Sequence, residues 1–226
     1  MTKRACVALR YLSLGGLALA ALVLGACSSV SRGSLETVRL AIQGDKVEPT
    51  AASVAATPYF QLQVNAPGGE AILILARVEH GQLGWYGSGH DIVYTRDGLV
   101  VKTVGLPQNL DDSAFLAENP FQTGLQHLRT PLDYTRRMDF SPGYRYGVIV
   151  NARLEPKGLE SVDILGTVHS LRRVDEYLSA PGLGIHMTNR YWIDPADGFI
   201  WKSRQYVAPG VPLELIQLQP YRETAP

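Results

Sequence analysis

Between positions 145 and 154, Tyr146, Val148, Val150, Ala152 and Leu154 alternate with Arg145, Gly147, Ile149, Asn151 and Arg153. A period of two with one face more polar marks a strand with one buried side. Residues 71–78 are dense in Ile and Leu and read as a strand buried on both faces. His80-Gly81 then makes a tight turn into a strand over residues 82–86. Residues 91–95 and 99–104 flank Arg96-Asp97-Gly98, and Asp-Gly accepts the positive φ angles that a two-residue hairpin demands. Gly105-Leu106-Pro107 ends that hairpin.

Pro156-Lys157-Gly158, Pro181-Gly182 and Asp194-Pro195-Ala196-Asp197-Gly198 punctuate four more strand-like runs, at 159–166, 167–178, 185–194 and 199–207. Residues 213–218 supply a last one. Helical signals are few. Residues 35–43 are amphipathic and end at Gly44, residues 49–56 stop before Pro58, and residues 111–128 carry no strand pattern and hold a short helix or two. Strands at such short intervals, without long helices between them, predict an all-β antiparallel meander with a few short helices. Its apolar face is buried either by curling into a barrel or by stacking as a sandwich, and the pattern does not choose between them.

Ahead of this region the pattern changes. Lys3, Arg4 and Arg10 form a basic start, residues 11–24 are apolar or small, and Leu24-Gly25-Ala26-Cys27 closes the run. The run is shorter than the roughly 20 apolar residues of a spanning helix. It has the form of a secretory signal with a small-residue cleavage site. Leu-x-small-Cys resembles the bacterial lipobox, whose thiol takes a diacylglyceryl group before cleavage, so Cys27 is the expected lipidation site. Ser28 stands where an Asp would argue for inner-membrane retention, so the expected location is the outer membrane, on its periplasmic face. The layout is then a signal at 1–26, lipidated Cys27 with a small polar tether to residue 34, and one β-rich domain over 35–226.

The 21 Lys and Arg balance the 21 Asp and Glu, but three bases and no acids lie in the signal. The mature chain therefore has 18 bases against 21 acids, a net charge of −3. That leaves no electrostatic footprint for nucleic acid. Cys6 leaves with the signal and Cys27 is acylated, so no disulfide is expected, although the compartment permits one.

Candidate chemistry is sparse. His80, His90, His127, His169 and His186 are scattered without metal-ligand spacing, so neither a metal nor another cofactor is expected. Gly87-Ser88-Gly89 lacks the spacing of a nucleophile elbow and reads as a turn. Asp111, Asp112, Glu118, Asp133 and Asp139 could in principle supply a glycosidase pair, and solvated loop carboxylates explain them as well. Asp194 and Asp197 frame a turn that Asx side chains cap. Arg172 and Arg173 beside Asp175 and Glu176 read as surface ion pairs.

Aromatic residues pose the sharper question. Phe199, Trp201, Ser203, Gln205 and Val207 share one strand face, and Ile200, Lys202, Arg204 and Tyr206 share the other. On the plain reading, Trp201 is core and Gln205 satisfies a neighbouring backbone group. For contact with a polymer or partner, the candidates are Trp85 beside its Gly-rich turn, Trp201 and Arg204.

Three stretches resemble one family. Residues 92–110, with Thr95, Gly98, Val101-Lys102-Thr103, Gly105-Leu106-Pro107 and Asn109-Leu110, are similar to its T-x-x-G-x-x-V-K-T-x-G-L-P-x-N-L segment. Tyr191-Trp192, Asp194, Gly198 and Ser203-Arg204-Gln205 resemble its Y-W-x-D…G…S-R-Q hairpin, and Thr57-Pro58-Tyr59 its P-Y entry. Tyr134 stands where the pattern carries a Trp, and residues 116–131 match poorly. The family is the GfcB/YjbF lipoproteins of capsule and exopolysaccharide systems. The resemblance implies a non-enzymatic accessory in export or assembly of a surface polysaccharide, touching other envelope export proteins or the polymer. A lipid or lipoprotein carrier on a curved sheet is the alternative, and a polysaccharide-degrading enzyme is a weaker one. The family supplies no catalytic residues to carry over.

Cys27→Ser should remain unacylated. Stable anchoring needs more than one acyl chain, at about 0.8 kcal/mol per buried CH₂. Cell fractionation after a salt wash should find the variant released and the wild type in membranes. Retention of the variant would mean that the anchor lies elsewhere.

Overall fold

Thr50 opens helix α1 (Ala51–Ala55) with a reciprocal cap: its hydroxyl accepts the Ser53 N–H at 3.1 Å, and the Ser53 hydroxyl accepts the Thr50 N–H at 3.0 Å. The structure, a computed structural model, describes residues 48–143 and 145–222. The signal, Cys27, the tether and the helix expected at 35–43 lie outside the described residues. After α1 come β1 (Gln61–Ala66), β2 (Gly69–Glu79), β3 (Gln82–Tyr86), β4 (Ile92–Arg96), β5 (Leu99–Val104) and β6 (Asn109–Phe115). Helix α2 (Pro120–Thr123) and a 3-10 turn at Leu125–His127 lead to β7 (Leu132–Ser141), β8 (Arg145–Ile164) and β9 (Thr167–Ala180). A second 3-10 turn precedes β10 (Ile185–Ile193), β11 (Ile200–Ala208) and β12 (Val211–Gln219).

All strand pairs are antiparallel, and β1 pairs with β12, so the sheet order is β5-β4-β3-β2-β1-β12-β11-β10-β9-β8-β7-β6. The two edge strands, β5 and β6, are consecutive in sequence and lie against each other. The meander is therefore one sheet rolled into a nearly closed barrel, lacking one ladder. This decides against the sandwich.

Side chains close the missing ladder. The Thr103 hydroxyl donates to Asn109 Oδ1 at 3.2 Å and accepts the Leu110 N–H at 3.0 Å. From inside, Gln205 of β11 accepts the Val100 N–H and donates to the Gly98 carbonyl, both at 2.9 Å. Groups that an edge strand would leave bare are thus satisfied without a neighbouring strand. The expected backbone role of Gln205 is the observed one.

Inward rows from opposite walls form the core. Leu62, Leu73, Trp85 and Val93 meet Val150, Leu178, Met187 and Leu213. A second cluster packs Phe121 of α2 and Leu125 against Leu154, Val174, Tyr191 and Ile193. A third uses the other face of β2 and β12: Ile72, Ile216 and Leu218 are covered by Val54 of α1 and by Ile164 at the tip of the long β8–β9 hairpin.

The turns at His80-Gly81 (φ 49° and 74°) and Asp97-Gly98 (φ 52° and 76°) have the expected left-handed residues. Four expectations are corrected. Strand β2 is not buried on both faces. It pairs with β1 only through Ile74, and beyond that Ala76, Arg77 and Val78 overhang into solvent. Residues 109–115 form a strand, whose period is broken by a bulge between Leu110 and Asp112. Pro156-Lys157-Gly158 is not a turn, because β8 runs through it by way of a bulge between Pro156 and Leu159, a position that tolerates proline. A further irregularity opposite Trp192/Ile193 shifts the phase of β11, so that Ile200 packs inward and Trp201 outward.

A Cβ at Gly98 would stand 2.5 Å from Ile200 Cδ1, whereas one at Gly81 would meet nothing within 4 Å. Both glycines are left-handed. Gly98→Val should therefore lose more than the roughly 1–2 kcal/mol of backbone strain shared with Gly81→Val. Thermal melts of the two variants measure the difference. A Gly98→Val protein melting with the wild type would refute this turn.

Candidate functional site

The structure does not bring Trp85, Trp201 and Arg204 together. Trp85 is 0% exposed, and its indole N–H donates to Thr95 Oγ1 at 2.9 Å. Its pairing with Val93 on β4 puts it in the inward row, so its reading as a surface contact is corrected despite the turn beside it. Trp201 is half-buried on the outer face, its ring 4.4 Å from His169 and 5.3 Å from Phe199, where it seats the β8–β9 hairpin. Arg204 is exposed, opposite Arg190 and Glu214, with its guanidinium 5.9 Å from the Tyr206 ring.

Most of the candidate acids have structural partners. Asp111 accepts from the Ser141 hydroxyl at 2.8 Å, Asp112 pairs with Arg137 at 2.9 Å, Asp133 with Arg153 at 2.9 Å, and Asp139 accepts the Gly147 N–H at 2.6 Å. Asp194 and Asp197 accept the N–H groups of Ala196 and Phe199, each at 2.9 Å, as Asx caps do. Among the described residues, no three His, Cys, Asp or Glu side chains stand close enough to hold a metal ion.

The interior holds a polar constellation that no local sequence pattern joins. Glu176 of β9 is fully buried rather than on the surface. Its carboxylate accepts from Tyr191 Oη at 2.7 Å, Asn189 Nδ2 at 2.8 Å and the Tyr134 hydroxyl, and Arg136 Nη2 lies 3.3 Å away. Asn189 Oδ1 in turn accepts the Tyr206 N–H at 2.8 Å. Burial pushes the phenols of Tyr134 and Tyr191 well above their ordinary value, and the negative Glu176 raises them further, so both stay protonated donors. Burial alone would lower the Arg136 pKa, but Glu176 together with Tyr134 and Tyr191 outweighs it and holds the guanidinium charged. Arg136 Nε and Nη1 have no partner within the protein. Donors converging on a carboxylate can anchor charge in the barrel, but the set contains no nucleophile paired with a base.

The same strands border a hollow on their outward side. About 660 Å³ in volume, it is lined by Asn151, Arg153, Tyr177, Ser179, His186 and Thr188, among others. A second hollow of about 440 Å³ lies between the α2 segment and β7, where Glu118, His127 and Leu128 line it. The two share Asp133 and Tyr134.

Residues 34–218 match the family model described as the group 4 capsule polysaccharide lipoprotein GfcB, YjbF. The uncharacterized lipoprotein GfcB of Escherichia coli strain K12 is 25% identical over 209 residues, covering 90% of this chain and 97% of its own. The uncharacterized lipoprotein YjbF of the same strain is 29% identical over 195 residues, covering 84% and 90%. The crystal structure of the hypothetical lipoprotein YmcC from Escherichia coli K12 superposes with a TM-score of 0.69 at 22% identity, over 85% of this chain and 95% of that one, a likeness of fold. The motif residues have structural work: Thr103, Asn109 and Gln205 close the barrel, Thr95 holds Trp85, and Tyr191 holds Glu176.

Glu176→Ala leaves Arg136 buried and uncompensated, at a cost of about 3–5 kcal/mol. Replacing both as Arg136→Met with Glu176→Leu should recover most of that stability in urea unfolding, since a buried pair and apolar residues of similar volume are often equivalent. A Glu176→Ala protein as stable as the wild type would show that the pair is not buried as described.

Proposed function

This chain belongs to the YjbF family of group 4 capsule polysaccharide lipoproteins, and from that premise we propose that it serves, without chemistry of its own, in the export or assembly of a surface polysaccharide. The observation that carries the reading is the family match across residues 34–218. In this reading, lipid on Cys27 holds the domain to the periplasmic face of the outer membrane, beside the export proteins that it assists.

Two structural features support an accessory over the alternatives. Asp112, Asp133 and Asp139, which a depolymerase would need free, are each engaged by an Arg or a backbone N–H. Rows from opposite walls of the barrel meet in one packed cluster, which favours an accessory over a carrier that needs an apolar hollow.

Deleting the gene should lower or mislocalise surface polymer. Wild-type protein should restore it and Cys27→Ser should not, because an unanchored copy diffuses from the machinery. Staining of surface polymer and gel filtration of the purified polysaccharide provide the readouts. Unchanged surface polymer in the deletion strain would overturn the role. Shortening of the purified polymer by the wild-type protein, abolished by one acidic substitution between Asp111 and Asp139, would overturn the non-enzymatic reading.

A further inference from the structure

We propose that the outward hollow on β7–β10 is a saccharide-binding site that holds a stretch of the polysaccharide across the strands. The strand register sets two parallel rows of side chains there. Thr135 pairs with Asn151, Asn151 with Ser179, and Ser179 with His186. One step along, Asp133 pairs with Arg153, Arg153 with Tyr177, and Tyr177 with Thr188. All eight line the hollow. Each row crosses four strands, a span of about 14 Å at the usual strand spacing.

The first row holds no carboxylate, lysine or arginine and is rich in hydrogen-bonding groups: two hydroxyls, an amide and an imidazole. Among the described residues, the side chains of Thr135, Asn151, Ser179, His186 and Thr188 have no hydrogen bond or ion pair within the protein. This contrasts with the barrel interior, where Glu176, Asn189, Gln205 and Thr103 all bond to the protein itself. Five groups unengaged within the protein, on adjacent strands and lining one hollow, are free to bond a ligand with matching hydroxyls.

The second row narrows the class. Arg153 is held by Asp133 at 2.9 Å and by Glu155 at 3.1 Å, so the row offers no free cation for a nucleic acid or a strongly acidic chain. Tyr177 is 39% exposed and is fixed by Lys157, whose Nζ lies 5.7 Å from the ring centroid. An aromatic surface among hydroxyl, amide and imidazole groups suits a pyranose, which presents hydroxyls at its rim and C–H groups on its face. A linear polymer laid across the strands meets a hydrogen-bonding group at each strand. Past Asp133 and Tyr134, the second hollow continues the path.

This inference rests on the polysaccharide role proposed above, but its test is separate. Full-length protein in detergent would be titrated with surface polysaccharide purified from the same strain, by affinity electrophoresis and calorimetry. The double variant Asn151→Ala/Ser179→Ala and the single variant Tyr177→Ala should bind at least tenfold more weakly. Ser161→Ala, on the hairpin arm, should bind as the wild type does. The double variant removes no internal contact, so it should melt with the wild type even if Tyr177→Ala does not. Failure of wild-type protein to retard the polymer, or equal binding by the double variant, would overturn the site. So would unchanged binding by a double variant that fails to restore surface polymer in cells, since the hollow would then meet a protein. A deletion strain with normal surface polymer would end the export role and leave the binding result standing.

Discussion

A sheet of finite width ends in two edges, and each edge presents a row of unpaired N–H and C=O groups. A meander in which β1 pairs with β12 meets this constraint by placing both edges next to each other in sequence, at β5 and β6. Rolling then brings the edges together, and a few side chains replace a whole ladder. Thr103 and Asn109 bridge from strand to strand, while Gln205 reaches from β11 across the interior to Val100 and Gly98. The left-handed turn at Asp97-Gly98 belongs to the same device, because it presents the Gly98 carbonyl that Gln205 holds. The long family motif over residues 92–110 therefore falls where the barrel closes, and the S-R-Q segment supplies the group that closes it from inside.

Closure creates a second demand. The inward rows of β7, β9 and β10 carry Arg136, Glu176, Asn189 and Tyr191 among apolar neighbours. Bringing a carboxylate into such surroundings costs several kcal/mol unless its lone pairs are met. Here three hydrogen-bond donors and a guanidinium meet them. The net stability gained is small, as for buried pairs generally. What the arrangement supplies is register. A slip of one residue in β7 or β9 would turn a charged group outward and leave its partner alone inside, and a slip in β10 would take two donors from the carboxylate.

Elements whose signals are local were readable from sequence. The His80-Gly81 and Asp97-Gly98 turns need left-handed residues in fixed places, and the alternation at 145–154 needs only one buried face. Bulges hid the rest. An extra residue near Leu110 disguised β6, another at Pro156 made a continuous strand look like two, and a third moved Trp201 to the outer face. Trp85 is buried although a glycine-rich turn implies exposure, because the phase of the strand before the turn decides burial. Glu176 carries a sequence signal of its burial: Val174, Glu176, Leu178 and Ala180 alternate, so the acid sits within an apolar row. Its partners lie on other strands at unknown register, and no local pattern could join them.

The outward hollow was out of reach for the same reason, and this bears on how it works. Thr135, Asn151, Ser179 and His186 lie far apart in sequence and become a row only through the pairings of β7 to β10. Arg136, Glu176 and Tyr191 tie β7, β9 and β10 together from the other side of the same sheet, with β8 paired between the first two. Side chains alternate between faces, so the register that satisfies the buried carboxylate is the register that aligns the outer hydroxyls and amide. The precision of a polar network that must be complete is thereby transferred to a surface whose groups have no contacts of their own to position them. A surface built this way is ordered before a ligand arrives, so less freedom is lost when a polymer is laid across it.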